Sequence, residues 1–307
     1  MKRKVHEGIP THCYQRTVNG GVLFYSFIDH LVYFTSYCIN AAKHDITVLG
    51  LTQMPDHLHD SLLARSARKL AEFKREQNSW FAKQQNEFCN ISGPVFWHPY
   101  GSASKPSEKQ VRTNLIYVGN NPVERHLVEK AEDYRWNYIA YAASESPFSK
   151  KLVIRRCSPA LAAAVKNVRF QYQQDLPMNY QLLLRLFKPL DSQQTQQLID
   201  FIINQYNVID YEAALEFFGG SYPRFLVALH STTGSEYDIK EKKTGRSDLC
   251  YAQMSDMIIN EYGLADIHDF LSMDRREIYT MLRSRTAFPE RQILKFLRMR
   301  DWEVPRK

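Results

Sequence analysis

The sequence has few cysteines, and their spacing forms no recognisable pattern. Five occur among 307 residues, an odd number, and no C-x-x-C pair is present. A disulfide framework and a zinc ribbon are therefore both disfavoured, and we expect a reducing, cytoplasmic location. The five are scattered along the whole chain: Cys13, Cys38, Cys89, Cys157 and Cys250.

Long apolar runs are also missing. No stretch of about 18 apolar residues occurs, so we predict no membrane span. The basic start of the chain, MKRKVHEG, is not followed by the apolar region of a secretory signal. A content of 44% hydrophobic and 24% charged residues is typical of a packed protein, and the length allows two domains or one large domain.

Acidic residues are fewer than basic ones, 33 against 40, which gives a net charge of +7. An excess of Lys and Arg favours polyanionic partners, because each neutralised phosphate releases counterions. Charge alone leaves open the alternative of a basic protein that binds no nucleic acid.

The first part of the chain, residues 1–150, alternates strand and helix patterns. Residues 12–18 and 22–27, around Asn19-Gly20-Gly21, predict a hairpin. A β-branched run at 46–53 predicts a central strand, and its partner begins at His57. Helices are predicted at 28–43, 64–88 and 107–121, the last ending at Asn121-Pro122 because proline disfavours helical geometry before it.

Strand patterns fade after about residue 158. We predict a helical, acidic spacer at 151–247, ending in a polar loop at 231–247, and a basic terminal module at 248–307. Three helices predicted in the module, at 248–262, 266–285 and 289–299, resemble a helix-turn-helix that would read flanking duplex. The alternative is a bundle that packs on the first domain or on a second subunit. The terminal cations predicted to contact DNA are Arg291, Lys295 and Arg298.

Two histidines stand two residues apart in the predicted strand that begins at His57. Side chains two apart on a strand share a face, so His57 and His59 could bind one divalent ion. The H-x-H pattern alone is weak, and two surface histidines near a turn would give the same pattern.

Tyr117 and Asn121 are four apart in a predicted helix and therefore share one of its faces. A tyrosine oxygen can attack phosphorus, and an amide oxygen beside it could complete a metal site. Core packing for Tyr117, and a plain helix end for Asn121 before Pro122, are the alternatives.

Three segments give these residues a common context: QMPDHLHD (53–60), GPVFWHPYGS (93–102) and LIYVGNNPVERHLVEKAEDYRWNYIAY (115–141). In this order they resemble the HUH single-strand DNA endonucleases, and within them the single-tyrosine transposases associated with repetitive extragenic palindromes (REP). The resemblance covers roughly residues 10–145. It implies a ferredoxin-like α+β domain with an antiparallel sheet flanked by helices, here followed by an all-helical C-terminal region.

The resemblance also implies roles for particular residues. His57, His59 and Asn121 would hold Mg²⁺ or Mn²⁺, and Tyr117 would be the nucleophile that cleaves and rejoins single-stranded or hairpin DNA through a 5′-phosphotyrosine. Such proteins usually carry an apolar residue after the second histidine, whereas this sequence has Asp60. We predict that Asp60 is a charge at the edge of the strand, in preference to a side chain that orients an imidazole. Asp56 stands where similar sequences often carry Asn, and we interpret this difference as having no effect on function. Monomers and dimers both occur among such proteins, so monomer or homodimer stays open.

Basic and aromatic residues near these motifs are candidates for DNA contact. Aromatic side chains of the 93–102 loop, Phe96, Trp97 and Tyr100, could stack on bases, although core packing is favoured for them. A catalytically idle DNA-binding regulator and a phosphodiesterase that uses water are the alternative functions. The cations predicted to contact phosphates from the 64–88 helix are Arg65, Arg68, Lys69, Lys74 and Arg75.

Overall fold

The computed structural model of the chain describes residues 5–97, 99–231, 250–300 and 303–304. Within these residues a four-stranded antiparallel sheet is flanked by helices, and all later elements are helical. This confirms the predicted α+β class. In the described part of the chain, no helix combines the length and the apolar character needed to cross a bilayer.

The strands of the sheet are β1 (Thr11–Arg16), β2 (Thr47–Met54), β3 (His57–Leu63) and β4 (Gly101–Ser104). Their order in the sheet is β2-β3-β1-β4, with β3 and β1 in the centre. Antiparallel pairing joins β1 to both β3 and β4, and β2 to β3. The strand β4 was not predicted, because its four small residues lack a β-branched pattern.

The hairpin predicted around Asn19-Gly20-Gly21 is wrong, because residues 22–27 do not form a strand. They lead instead into helix α1 (Phe27–Lys43), which begins with a capping box. Ser26 Oγ accepts from the Ile28 amide at 3.2 Å, and Asp29 Oδ2 accepts from the Ser26 amide at 2.9 Å. These bonds satisfy amides that the helix itself leaves without partners. The residues before α1 are therefore stabilised as the start of a helix and do not pair as a strand.

Helices cover the two faces of the sheet differently. Helix α1 and helix α2 (Ala67–Phe88) lie on the face that carries Asp60, since Asp60 contacts Tyr37 of α1 and Lys74 of α2. Helix α3 (Glu108–Glu124) lies on the opposite face, which carries His57. Alternation along β3 therefore sends its even-numbered and odd-numbered residues to different helices.

Helix α3 continues to Glu124, so the end predicted at Asn121-Pro122 is wrong. Proline has no amide hydrogen, and its presence leaves the carbonyl of Val118, four residues earlier, without its helical donor. The hydroxyl of Thr52 on β2 donates to that carbonyl at 2.6 Å. The sheet thus supplies the missing bond, and the helix tolerates Pro122 in its last turn.

The helical half of the chain packs directly against the sheet domain. Phe27 of α1 meets Phe187, the last residue of helix α5 (Tyr180–Phe187), edge to face with ring centroids 4.9 Å apart. The spacer shares one apolar core with the sheet. The polar loop predicted at 231–247 lies outside the described residues from 232 onward. The spacer helices are α4 (Pro159–Gln173), α5 (Tyr180–Phe187), α6 (Ser192–Tyr206), α7 (Tyr211–Glu216) and α8 (Tyr222–Ser231).

The terminal module contains α9 (Cys250–Tyr262), α10 (Arg275–Arg285) and α11 (Glu290–Phe296). The single helix predicted at 266–285 is divided into a 3₁₀ segment, Ile267–Ser272, and α10. The division falls at Asp274, whose side chain accepts from the Arg276 amide at 2.9 Å and caps α10.

Candidate active site

The two predicted ligand histidines lie side by side on one face of β3. Both side chains are buried, and their ring centroids are 4.9 Å apart. In the strand register His57 lies opposite Arg16 and His59 opposite Tyr14 of β1. They are therefore not surface histidines at a turn, which was the alternative.

Tyr117 and Asn121 approach the same place from α3. Asn121 Oδ1 lies 3.2 Å from His57 Nε2. The Tyr117 ring meets His59 edge to face, with centroids 5.2 Å apart, and is also buried. All four predicted residues thus converge, although β3 ends at Leu63 and α3 begins only at Glu108.

The orientation of the His57 ring is set by Asp56. One carboxylate oxygen of Asp56 lies 2.5 Å from His57 Nδ1. Burial raises the pKa of Asp56, but the His57 imidazole and the Lys295 ammonium outweigh burial and hold that pKa well below its ordinary value. Because the ionised carboxylate can only accept, Nδ1 carries the proton and Nε2 is the atom that points to Asn121. The interpretation that Asp at position 56 has no effect on function missed this contact.

Asp60 is neither a strand-edge charge nor a partner of the imidazoles, so both interpretations of it are corrected. Its carboxylate is buried between α1 and α2, on the opposite face of β3 from the histidines. It forms an ion pair with Lys74 and accepts from the Tyr37 hydroxyl at 3.1 Å. The reason is that β3 has a strand neighbour on each side and is covered on one face by α1 and α2 and on the other by α3.

A third imidazole belongs to the site and was missed from the sequence. His12 of β1 is buried, and its Nε2 lies 3.0 Å from His59 Nδ1. Burial, together with the positive charge of neighbours that include His57 and His12, holds the pKa of His59 well below its ordinary value. His59 is therefore neutral near pH 7, the form that a metal requires. Only the β1–β3 register could have revealed His12, and the sequence does not state it.

The donor set can be tested for its fit to a divalent ion. Residues 5–97, 99–231 and 250–300 hold no cluster of three or more His, Cys, Asp or Glu side chains suited to a metal. The converging donors here are two imidazoles and an amide oxygen, a set with one hard oxygen and two nitrogens. His57 Nε2 and Asn121 Oδ1 lie 3.2 Å apart, which is a hydrogen-bond distance and is also close enough for both atoms to bind one cation, so the residues fit such an ion.

The cations predicted to contact DNA from the 64–88 helix differ in exposure; α2 itself begins at Ala67, after Arg65. Arg65, Arg68, Lys69 and Arg75 are exposed, and the first two form surface ion pairs with Asp45 and Glu72. Lys74 is the exception and corrects the prediction. Its side chain is 4% exposed and paired with Asp60, so it cannot reach a phosphate.

The three cations predicted to contact DNA from the terminal module differ in exposure. Arg291 is exposed, but Lys295 and Arg298 turn toward the first domain. Lys295 Nζ lies 2.6 Å from Asp56, and Arg298 donates to the Val22 carbonyl at 3.0 Å. A major-groove role for Lys295 and Arg298 is therefore corrected in favour of the alternative, a bundle that packs on the first domain.

Two exposed residues of β1 lie beside the buried site and were also missed. The Tyr14 side chain is 37% exposed, and the Arg16 guanidinium lies 5.8 Å from the centroid of its ring. The Trp97 amide donates to the Arg16 carbonyl at 2.9 Å, and the Trp97 side chain is 53% exposed. Tyr100 is buried, as the packing alternative for the loop aromatics predicts. We call Tyr14, Arg16 and Trp97 the rim of the site.

Comparison with known proteins gives one structural likeness. A REP-associated tyrosine transposase solved in complex with a REP hairpin matches with a TM-score of 0.41 and 13% sequence identity, over 46% of this chain and 82% of the other. No family model and no curated protein matches the sequence.

Proposed function

We propose that this protein is a metal-dependent endonuclease of single-stranded DNA that cleaves and rejoins strands through a phosphotyrosine intermediate. The convergence of Tyr117 with His57, His59 and Asn121 in one buried group supports this proposal. Core packing alone would explain Tyr117, but it would not bring two imidazoles and an amide oxygen to the same place.

The ligands of the ion would be His57 through Nε2, His59, and Asn121 through Oδ1. Mg²⁺ or Mn²⁺ would fit, and Mn²⁺ tolerates nitrogen ligands better. Such an ion, when bound, polarises a non-bridging phosphate oxygen and offsets the negative charge that develops there.

The covalent step is an ester exchange at phosphorus. The phenol oxygen of Tyr117 forms a bond to the scissile phosphorus, and the bond from that phosphorus to the 3′ oxygen breaks. The phenol loses one proton and the leaving 3′ hydroxyl gains one, so no cofactor is consumed. Attack by a 3′ hydroxyl on the phosphotyrosine reverses the step and joins two strands.

The rim supplies a path for the DNA strand. Aromatic rings of Tyr14 and Trp97 can stack on unpaired bases, and Arg16, whose guanidinium lies 5.8 Å from the centroid of the Tyr14 ring, can contact phosphate. Single-stranded or hairpin DNA is therefore the proposed partner, with Arg65, Arg68, Lys69 and Arg75 as further phosphate contacts. Arg291 could reach flanking duplex, and the protein would act as a monomer or homodimer.

Denaturing gels after incubation with folded single-stranded DNAs and Mn²⁺ test the proposal. We expect the wild type to form a covalent DNA adduct, and Tyr117→Phe to form none while still binding DNA. Tyr172→Phe, which alters an exposed ring on α4, is the matched control and should form the adduct. Cleavage by Tyr117→Phe would remove this residue from its role. Cleavage without an adduct would favour a water-using phosphodiesterase, and binding without cleavage an idle regulator.

A further inference from the structure

The terminal module reaches the proposed metal site through one side chain, Lys295 of α11. We propose that Lys295 is a positioning residue: it holds the Asp56 carboxylate, which in turn holds the His57 ring with Nε2 toward Asn121. The inference rests on the proposed function, because it concerns how a ligand of that metal site is oriented. It makes the terminal module a component of the site.

Hydrogen bonds fix α11 against the first domain. The Val22 amide donates to the Lys295 carbonyl at 3.1 Å, and the Tyr25 hydroxyl donates to the Phe296 carbonyl at 2.8 Å. Both carbonyls lie in the last turn of α11, and the Lys295 carbonyl also accepts from the Arg298 amide at 3.2 Å. The first domain therefore adds donors at the end of this helix, and these backbone contacts help to set the position of Lys295.

Two glycines lie where the end of α11 approaches the first domain. Gly20 has a φ of +63°, a backbone conformation that favours glycine, and a Cβ there would be in ordinary contact with Lys295 Cε at 3.5 Å. At Gly21 a Cβ would lie 3.1 Å from Arg298 Cγ, so the absence of a side chain allows this close approach. Gly20 and Gly21, which suggest a hairpin in the sequence, thus lie against the end of α11 and the residues that follow it.

Both oxygens of the Asp56 carboxylate are engaged. Oδ2 accepts from Lys295 Nζ at 2.6 Å, and Oδ1 accepts from His57 Nδ1 at 2.5 Å. The carboxylate cannot rotate without losing one of these bonds. The side chains of Lys295 and Asp56 are only 16% and 6% exposed, so water screens their attraction weakly.

The backbone beside Asp56 is held independently of Lys295. The amides of Leu23 and Phe24 donate to the Pro55 carbonyl at 2.6 and 3.2 Å. The Thr17 hydroxyl, which donates to the Gly21 carbonyl at 2.5 Å, lies 3.3 Å from the Asp56 carbonyl. Loss of the Lys295 ammonium would therefore free the carboxylate without moving the turn. Partners of this kind typically change metal affinity by about 10–100-fold when removed.

The test compares Lys295→Met with Arg276→Met, which removes an exposed cation from α10 in the same module. Mn²⁺ affinity is measured from the electron paramagnetic resonance signal of the free ion. The ¹⁵N shifts of the His57 ring are measured without metal, with His30 as internal reference. We expect Lys295→Met to weaken Mn²⁺ binding about 10-fold or more and to shift the His57 signals. Arg276→Met should change neither, and Lys295→Arg should restore most of the affinity.

Hydrogen exchange at the Val22 amide shows whether α11 stays docked in Lys295→Met. If α11 undocks, the double variant Lys295→Met with Asp56→Asn shows whether Lys295 acts through Asp56 or through the fold of the module. Action through Asp56 predicts that Lys295→Met costs no further affinity in the Asp56→Asn background, whereas a purely structural effect costs the same in both. Equal loss in both backgrounds, or unchanged affinity and unchanged His57 signals, overturns the inference. If the wild type binds no Mn²⁺, the metal site fails, and the His57 shifts alone decide whether Lys295 positions the ring.

Discussion

A buried charge cluster around His268 should make the stability of this protein depend on pH in the alkaline range. His268 lies in the 3₁₀ segment before α10, and its Nε2 donates to Asp29 at 2.8 Å. Its Nδ1 donates to Asp266 at 2.5 Å. Burial lowers the pKa of His268, but the two carboxylates outweigh burial and raise that pKa to about 9.

The sign of the effect follows from the direction of this pKa change. The pKa is about 6.5 in the unfolded chain and about 9 in the folded one. At about 1.4 kcal/mol per pH unit, the cluster contributes about 3 kcal/mol of stability. That contribution is complete below pH 6.5 and is lost as the pH rises through about 9. The pKa values of Tyr25, Tyr180 and Cys89, which surround Asp29, are raised by burial, so these groups remain neutral over most of this window.

Urea unfolding at about pH 6 and about pH 9.5 measures the effect. The wild type should lose on the order of 3 kcal/mol of unfolding free energy between the two conditions. His268→Gln, which cannot carry the charge, should be less stable at the lower pH and nearly insensitive to the change. The matched control is His230→Gln, since His230 forms a partly exposed pair with Glu132 on the surface and should leave the pH dependence intact. An equal loss in the wild type and His268→Gln would refute the reasoning.

Two further predictions separate stability from DNA binding. Lys74→Met leaves the Asp60 carboxyl buried without its partner and should cost about 3–5 kcal/mol in urea unfolding, without weakening DNA binding by the folded protein. Arg75 is adjacent and exposed, so Arg75→Met should weaken DNA binding and leave the unfolding free energy nearly unchanged. A large loss of stability in Arg75→Met would contradict its role as an exposed phosphate contact. Gly101→Ala places a Cβ 2.1 Å from Tyr14 Cζ, so this ring must move. Fluorescence anisotropy should show weaker single-strand binding by about 1–3 kcal/mol, as for Tyr14→Ala, and unchanged binding would remove Tyr14 from the rim.

The parts of the site that could be predicted from the sequence are those set by local periodicity. His57 and His59 share a face because strand residues alternate, and Tyr117 and Asn121 share a face because helix residues four apart are neighbours. Such rules predict which side chains point together, but not which elements meet. The family resemblance suggested that these two pairs converge, and the coordinates bring them together.

Contacts between distant segments could not be predicted in this way. Lys295 and Asp56 are 239 residues apart, and nothing in either local sequence indicates the other. The same limit explains Pro122, which ends a helix by local rules but is tolerated because Thr52 of another element replaces the lost donor. Gly20 and Gly21 are a turn signal locally and a docking surface in the fold.

The two faces of β3 connect these observations. His57 and His59 point toward α3, while Asp60, one residue further along, points between α1 and α2 and pairs with Lys74. A slip of the strand by one residue would bury an imidazole among the apolar residues of α1 and α2 and leave Lys74 without its carboxylate. Both results are costly, because a buried charge without a partner loses its solvation. The ion pair on one face therefore helps to fix the register that presents the histidines on the other.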